Sequence, residues 1–415
     1  MSHTAARRFV PAATAALLAA ACSDPSGPRA PVESPALAVA PSQASSPQRE
    51  LIPGQYIVVL RAPVLGAGAS PAAATADAAE VTRLADKRVR ELGGTLRVAY
   101  ARVFRGYAAS GLSEAAVRTL RASPDVAYVE QDQVMHASAT QSGATWGIDR
   151  IDQRALPLSG TYTYTSTGSG VRAYIIDTGI QTSHPQFGGR ASAVYDAVGD
   201  GRNGQDCNGH GTHVAGTVGS STYGVAKGAY LRAVRVLSCS GSGSNSGVIA
   251  GINWVAQNHI APAVANLSLG GGASTAVDQA INALATSGVF VAVAAGNEGQ
   301  DACNVSPARA ANATTVAAST RTDARATYSN YGGCVDLYAP GSSITSTWIG
   351  SSTNTISGTS MATPHVAGVA ALYKATYGDA PFGTIRSWLT SNATANVITG
   401  NPSGTPNLLL YKGAL

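Results

Sequence analysis

The sequence predicts an α/β protein with a doubly wound parallel sheet, preceded by a small α+β domain. Two observations lead to this prediction. From residue 139 onward, short apolar runs alternate with helical segments, which is typical of parallel strands joined by crossover helices. Before that point, residues 51–133 form a separate set of strand and helix patterns. The later part, 139–415, is 277 residues long and can bury the core of one domain.

The N-terminus has the features of an export signal. Arg7 and Arg8 precede an apolar stretch, 9–21, that is too short to span a bilayer as an ordinary helix. Cys22 follows this stretch in a context that resembles a lipoprotein signal, so residues 1–22 predict either lipidation of Cys22 or cleavage nearby. Residues 23–50 are rich in Pro, Ser and Ala, which predicts a disordered linker.

The next unit begins at residue 51 and shows six elements in βαββαβ order. Apolar alternation predicts four strands at 55–60, 95–100, 105–110 and 125–132. Helical periodicity predicts helices over 73–92 and 113–121, the second opened by a Ser113 cap. This order predicts a small ferredoxin-like domain.

The larger domain alternates buried strands with helices. The strands are predicted at 171–176, 230–236, 264–269, 289–294 and 315–318. Helices are predicted at 213–218, 244–257, 274–287 and 363–377. In such a sheet the functional site lies at the carboxyl ends of the strands. The sequence contains neither an internal repeat nor an apolar run long enough to predict a membrane helix.

Charge and cysteine content limit the partners and the disulfide pairings that the chain can have. The chain carries a net charge of +5, but residues 139–415 hold 14 basic and 12 acidic residues with no basic run, which argues against nucleic acid as a partner. Five cysteines leave one unpaired, and Cys22 accounts for it. The other four allow three pairings, and buried free thiols are the alternative.

Three polar residues in glycine-rich segments predict a hydrolytic site. Asp177 ends a β-rich run, His210 lies in a segment rich in glycine and histidine, and Ser360 lies in Gly358-Thr-Ser-Met-Ala362 at the start of a predicted helix. A serine hydroxyl needs an imidazole to take its proton, and that imidazole needs a carboxylate to fix its tautomer. Each residue alone could be structural, but the three together in the order Asp, His, Ser favour a catalytic triad.

These segments, with their glycines, resemble the signatures of the subtilisin-like serine proteases. Beyond residue 139 the chain resembles the proteinase K group, and within it the aqualysin-like enzymes, through 139–142, 146–154, 264–272 and 293–297. The unit that begins at residue 51 is similar to the inhibitory propeptide of that family. The resemblance therefore implies an inhibitory propeptide over 51–138, whose last residues, 135–138, would lie in the cleft of a catalytic domain over 139–415.

The resemblance also implies roles for individual residues. Asn297 would donate to the oxyanion. Two segments would pair with an extended substrate backbone, and these comprise Ser240, Gly241, Ser242, Gly243, Ser268, Leu269 and Gly270. A plain glycine-rich loop is the alternative for the first of them. The segment 270–272 would leave room for a large apolar P1 side chain, and the disulfides would be Cys207–Cys239 and Cys303–Cys334. We interpret His213 and His365 as packing residues, because the spacing of a helical zinc motif is missing.

Calcium is the cofactor that the resemblance implies, in a structural role. One expected ligand set is Asp149, Asp152, Gln153 and Ser159. A second combines Asp336 with the carbonyl groups of Ala311 and Ala313, and a third would combine Asp196 with Asp200 or Asp206 beside a two-residue insertion. The alternative is that Asp149 and Asp152 are solvated acids of a turn.

Together these features predict a secreted, monomeric serine endopeptidase that is made as a self-processing precursor, with a lipid anchor on Cys22 left open. Its partners would be protein and peptide substrates and its own propeptide. One alternative is an esterase with the same triad, although the Gly-x-Ser-x-Gly elbow is missing. The other is a catalytically silent, surface-anchored binding protein on the same scaffold.

Overall fold

A computed structural model describes residues 51–61, 70–133 and 139–415. The predicted signal, the predicted linker and the segment 135–138 lie outside the described residues.

The N-terminal unit has the predicted βαββαβ order. Its elements are β1 (Leu51–Leu60), α1 (Pro71–Glu91), β2 (Thr95–Tyr100), β3 (Gly106–Ser110), α2 (Glu114–Ala122) and β4 (Val126–Gln133). The antiparallel sheet has the strand order β2-β3-β1-β4, which confirms the small α+β domain. Ser70 and Ser113 cap the two helices by accepting from main-chain N–H groups three residues on. Val58, Val89 and Leu120 lie in a core of its own.

The larger domain contains the remaining elements. In chain order they are β5 (Ala139–Ser142), α3 (Trp146–Arg150), β6 (Thr161–Tyr164), β7 (Arg172–Asp177), β8 (Ala191–Asp196), α4 (His210–Gly219), β9 (Tyr230–Arg235), α5 (Asn245–Asn258), β10 (Ala263–Leu267), β11 (Gly271–Gly272), α6 (Thr275–Thr286), β12 (Phe290–Ala294), β13 (Val305–Ser306), β14 (Thr314–Ser319), β15 (Leu337–Pro340), β16 (Ile344–Trp348), β17 (Ser352–Ile356), α7 (Thr359–Tyr377), α8 (Phe382–Asn392), β18 (Thr394–Ala395) and β19 (Leu408–Leu409).

Nine of these strands form one sheet in the order β8-β9-β7-β10-β12-β14-β15-β19-β18. All neighbours are parallel except β18 and β19. From β7 the chain adds β8 and β9 on one side and then crosses to β10 on the other. The predicted doubly wound sheet is therefore confirmed, and its switch point lies between β7 and β10, where ligands bind in such folds.

Helices cover both faces of this sheet. Every residue of β10, β12 and β14 is buried, as expected of parallel strands between two helical layers. Helix α7 packs against β10, β12, β14, β15 and α4, whereas α5 packs against α6, β7, β8 and β9. Ser244 and Ser274 cap α5 and α6 through side-chain hydrogen bonds. Residues at the carboxyl ends of these strands are therefore held in place, because the strands cannot shift without disturbing a continuous core.

Two helices begin more than two residues before their predicted starts. Helix α4 begins at His210 rather than at residue 213, and α7 begins at Thr359 rather than at residue 363. Pro364 explains the second difference, because proline is most common in the first turn of a helix but here lies further inside. The elements that were not predicted from the sequence are α3, β5, β6, β8, β15, the β16–β17 hairpin, α8 and the two-residue strands β11, β13, β18 and β19.

The structure contains both disulfides that the resemblance implied, Cys207–Cys239 and Cys303–Cys334, with sequence separations of 32 and 31. Among the helices of the described residues, none combines the length and the apolar character needed to cross a membrane.

Candidate active site

Asp177 and His210 form a hydrogen-bonded pair at the carboxyl end of β7. Asp177 is fully buried, and its Oδ1 lies 2.7 Å from His210 Nδ1 and accepts from the Thr178 N–H at 2.7 Å. His210 is the first residue of α4, and Gly209 before it has φ +108° with no room for a side chain beside Trp348. Burial lowers the pKa of His210, but the charge and hydrogen bond of Asp177, together with the charge of Asp206, outweigh burial, so this pKa lies above its usual value.

Ser360 lies in the first turn of α7 and is held against Ser268, which follows β10. The Ser360 Oγ donates to the Ser268 main-chain oxygen at 3.1 Å, and the Ser268 Oγ donates to the Ser360 main-chain oxygen at 2.7 Å. Pro364 has no N–H to donate to that second oxygen, which lies four residues earlier in the helix. Ser268, itself held by the Asn266 amide at 2.9 Å, supplies the missing donor. The predicted substrate residue Ser268 thus also supports the predicted nucleophile.

The amide of Asn297 has a fixed orientation. Its Oδ1 accepts from the Thr359 N–H at 2.8 Å and from the Thr359 hydroxyl at 3.0 Å. Thr359 is buried, and its hydroxyl also accepts from the Gly296 N–H at 3.1 Å. These bonds identify which end of the amide is the oxygen. The Nδ2 is therefore the end that is left for a substrate.

The structure brings the two predicted substrate segments together in one cleft. A cleft of about 560 Å³ is lined by Ser240, Gly241, Ser242, Gly243, Ser268, Leu269, Gly270 and His210, among others. A smaller adjoining pocket of about 270 Å³ shares Leu269, Gly270 and Gly271 with it and is also lined by Asn297, Ser360 and Glu298. The four residues predicted to carry the chemistry therefore all lie at this cleft or directly behind it.

His213 and His365 lie in the interior. His213 Nε2 is 3.0 Å from the main-chain oxygen of Ile344, and His365 Nδ1 is 2.9 Å from that of Met361. Burial lowers the pKa of both imidazoles to about 4, so both are neutral. This arrangement agrees with their interpretation as packing residues.

The first predicted calcium set gathers only in part. Ser159 Oγ lies 3.0 Å from Asp149 Oδ1, and Gln153 Oε1 accepts from the Ser159 N–H at 3.0 Å, so these three side chains share one loop. Asp152 is engaged elsewhere. Its Oδ1 lies 3.0 Å from the ammonium group of Lys412, and its Oδ2 accepts from a main-chain N–H of β6 at 2.7 Å.

At the second and third predicted calcium sets, the carboxylates contact other groups of the protein. Beside Asp336, the Arg386 guanidinium donates both to that carboxylate and to the Ala311 carbonyl oxygen. Asp196 and Asp200 both pair with the guanidinium of Arg235. Asp206 instead accepts from Thr178, Asn208, Gly209 and Thr212, all around the triad. In both sets, the carboxylates therefore contact an arginine or a local hydrogen-bond network in this structure.

Comparison with known proteins agrees with this fold. The model of the subtilase family matches residues 168–408, and the model of the peptidase inhibitor I9 family matches residues 55–138. The chain therefore belongs to the subtilase family, and it is a subtilisin-like serine peptidase with an I9 propeptide domain.

Individual relatives are similar to this chain over most of their own length. An extracellular serine proteinase of Thermus sp. (strain Rt41A) is 55% identical over 370 residues, which cover 87% of this chain and 90% of the relative. Proteinase R of Parengyodontium album is 45% identical over 370 residues, covering 88% of this chain and 90% of the relative. The crystal structure of a cold-adapted subtilisin-like serine proteinase has a TM-score of 0.64 and 54% identity, covering 66% of this chain and 99% of the other.

Three residues that matter here were not predicted from the sequence. Thr359 orients Asn297, Glu298 lines the smaller pocket, and Arg386 binds Asp336. Thr359 and Glu298 each directly adjoin a residue that the sequence did single out, and that adjacency was the available signal. Arg386 lies 50 residues from its partner in the sequence, and no local pattern marks it.

Proposed function

We propose that this chain is a secreted serine endopeptidase that hydrolyses peptide bonds within proteins. The observation that carries the proposal is the 2.7 Å pair of Asp177 and His210, placed at the switch point of the sheet beside a cleft that contains Ser360 and Asn297. The names of the relatives describe proteinases and give no support to the esterase or to the silent binding protein.

In the proposed mechanism, Ser360 Oγ attacks the substrate carbonyl carbon. Its hydroxyl must first rotate away from the Ser268 oxygen toward His210, a change that substrate binding commonly brings about. His210 takes the proton through Nε2, because Nδ1 is committed to Asp177. The same imidazolium then protonates the leaving amine, while Asp177 stabilises its positive charge.

Two donors would stabilise the oxyanion. One is Asn297 Nδ2, which is oriented through Thr359. The other is the Ser360 N–H, since the first N–H groups of a helix have no carbonyl partner within it. The positive end of the α7 dipole points to the same place. These donors are fixed before substrate arrives, which is the condition under which they lower a barrier most.

Substrate would bind as an added strand between the two lining segments, 240–243 and 268–270. Main-chain hydrogen bonds of this kind require no chain end, which suits cleavage within a protein. The P1 side chain would enter the smaller pocket, whose glycines leave space for a large apolar group. Glu298 adds a carboxylate to that pocket and accepts from the Asn330 amide at 2.8 Å.

The precursor would comprise a signal at 1–22, a linker at 23–50, the propeptide at 51–138 and the catalytic domain at 139–415. The matched inhibitor family supports inhibition in cis by the propeptide. An extracellular relative supports secretion of the mature enzyme. We propose that this enzyme acts as a monomer. Mass spectrometry of the secreted and membrane fractions would locate the mature start and test Cys22, because a lipidated precursor carries the mass of its acyl chains.

Calcium would bind at the loop that holds Asp149, Gln153 and Ser159. Hard oxygen donors suit this ion, which takes about 6–8 of them, and a carboxylate, an amide oxygen and a hydroxyl already face one another there. When bound, the ion would supply loop stability and no chemistry. Asp152 would contribute through its ion pair with Lys412 instead.

This assignment predicts different behaviour for two neighbouring carboxylates. Asp149→Ala should remove the gain in melting temperature that calcium gives over chelator, because the ion loses its charged ligand. Asp152→Ala should lower the melting temperature equally with and without calcium, because it breaks an ion pair. Scanning calorimetry with the catalytic serine blocked would measure both. Equal calcium gains in wild type and Asp149→Ala would disprove the site.

The proposed activity is tested by casein hydrolysis. Activity should be abolished by a serine-directed sulfonyl fluoride and by Ser360→Ala, and internal cleavage should appear as new peptides that carry neither end of casein. An esterase would hydrolyse a simple ester but leave casein intact, and a silent scaffold would cleave neither.

A further inference from the structure

Asp336 is a nearly buried carboxylate that is fixed from two sides. Only 10% of its side chain is exposed. Its Oδ2 accepts from the Thr315 N–H at 2.8 Å, while its own N–H donates to the Thr315 oxygen at 2.9 Å. This reciprocal pair ties the residue before β15 to β14. A charge held in this position needs a cation.

Arg386, on α8, supplies that cation. Its Nε and Nη2 lie 2.8 Å and 2.7 Å from Asp336 Oδ1, and its Nη1 donates to the Ala311 carbonyl oxygen at 3.0 Å. Bonds of this length between charged groups are the stronger kind of hydrogen bond. The planar guanidinium thus joins a carboxylate and a main-chain oxygen that lie 25 residues apart in the sequence.

These two oxygens were expected to bind calcium together with the carbonyl group of Ala313, and the residues present do not fit that ion. Calcium would have to approach these oxygens to about 2.3–2.6 Å, and the guanidinium donors that contact them at 2.7–3.0 Å would first have to move away. The calcium ion would also lie beside the positive charge of the Arg386 guanidinium. Within this group of residues, Asp336 alone carries a negative charge to balance both cations.

We propose that Arg386 replaces the metal at this place in the fold. The protein then anchors α8 to the sheet with a cation of its own, and this anchor does not depend on the calcium concentration around the enzyme. Calcium would act only elsewhere, so chelation would leave the Asp336 region intact.

The test compares Asp336→Asn, Arg386→Gln and the double variant by scanning calorimetry, in chelator and in millimolar calcium, with the serine blocked. Each single variant should melt about 2–4 °C lower than wild type in both media, because one partly exposed ion pair is lost from a domain of this size. The double variant should melt no lower than either single variant. Arg309→Gln is the matched control, since its guanidinium pairs with Asp278 at 2.8 Å with similar exposure.

The decisive readout is the calcium-induced rise in melting temperature of Asp336→Asn. A rise equal to that of wild type supports the proposal. A smaller rise overturns it, because it would mean that Asp336 binds calcium. Equilibrium dialysis against radioactive calcium checks this without a folding transition. Equal numbers of bound ions in wild type and Asp336→Asn agree with Arg386 as the cation, and one ion fewer in the variant refutes it.

Discussion

Replacing Asn297 by alanine tests the proposed oxyanion site most directly. The amide oxygen of Asn297 is committed to Thr359 through bonds of 2.8 Å and 3.0 Å, so its only free hydrogen-bonding group is the Nδ2. A planar substrate carbonyl would gain little from this donor, whereas the tetrahedral oxyanion would gain a charge-assisted bond. The loss should therefore appear in the transition state rather than in substrate binding.

The expected fall in kcat follows from the loss of one oxyanion donor. Removing it costs about 3–4 kcal/mol of transition-state stabilisation, and each 1.36 kcal/mol is about tenfold in rate, so kcat should fall by about 10²–10³. KM should change by less than about threefold. Asn297→Asp keeps an acceptor for Thr359 but places a carboxylate beside the oxyanion, and it should be at least as slow.

The assay is hydrolysis of a peptide p-nitroanilide at several concentrations, with active sites counted by titration. Asn253→Ala, an exposed asparagine on α5, is the control and should keep wild-type kinetics. A rise in KM with kcat intact would refute the reasoning, because Asn297 would then bind the ground state. If Asn297→Ala lost activity while Asn297→Asp stayed fully active, the important role of Asn297 would be its hydrogen bonds to Thr359 and not a bond to the oxyanion.

The remaining predictions concern the triad, processing and stability. Because the pKa of His210 lies above its usual value of 6.5, kcat/KM should be lost as pH falls through that raised pKa. In Asp177→Asn this acid limb should move to lower pH and the plateau should fall by about 10⁴, and an unmoved limb in a pH–rate profile would contradict the pairing. Ser360→Ala should accumulate as an uncut precursor on gels, and efficient processing of the pure variant would exclude self-cleavage. Opening the Cys303–Cys334 bond by a double serine variant should cost about 3–4 kcal/mol in denaturant unfolding, since its loop spans 31 residues, and an unchanged midpoint would contradict this.

Local patterns in the sequence determined the elements and the chemistry. Apolar runs and helical periods depend on residues a few positions apart, so they predicted the central strands and the main helices within a few positions. Asp177, His210 and Ser360 carry glycine-rich surroundings that the sequence displays directly. The propeptide order was predictable for the same reason, because each of its elements has a clear period of its own.

The tertiary structure alone decided which distant groups meet. Ser268 and Ser360 lie 92 residues apart, and only the adjacency of β10 and α7 lets each support the other. Asp336 and Arg386 lie 50 residues apart and meet because α8 packs against α7 and β12. A buried carboxylate needs a cation or hydrogen-bond donors, but whether a metal or an arginine provides the charge depends on which side chain the fold brings within about 3 Å. That choice is made by packing over the whole domain, and no local pattern records it.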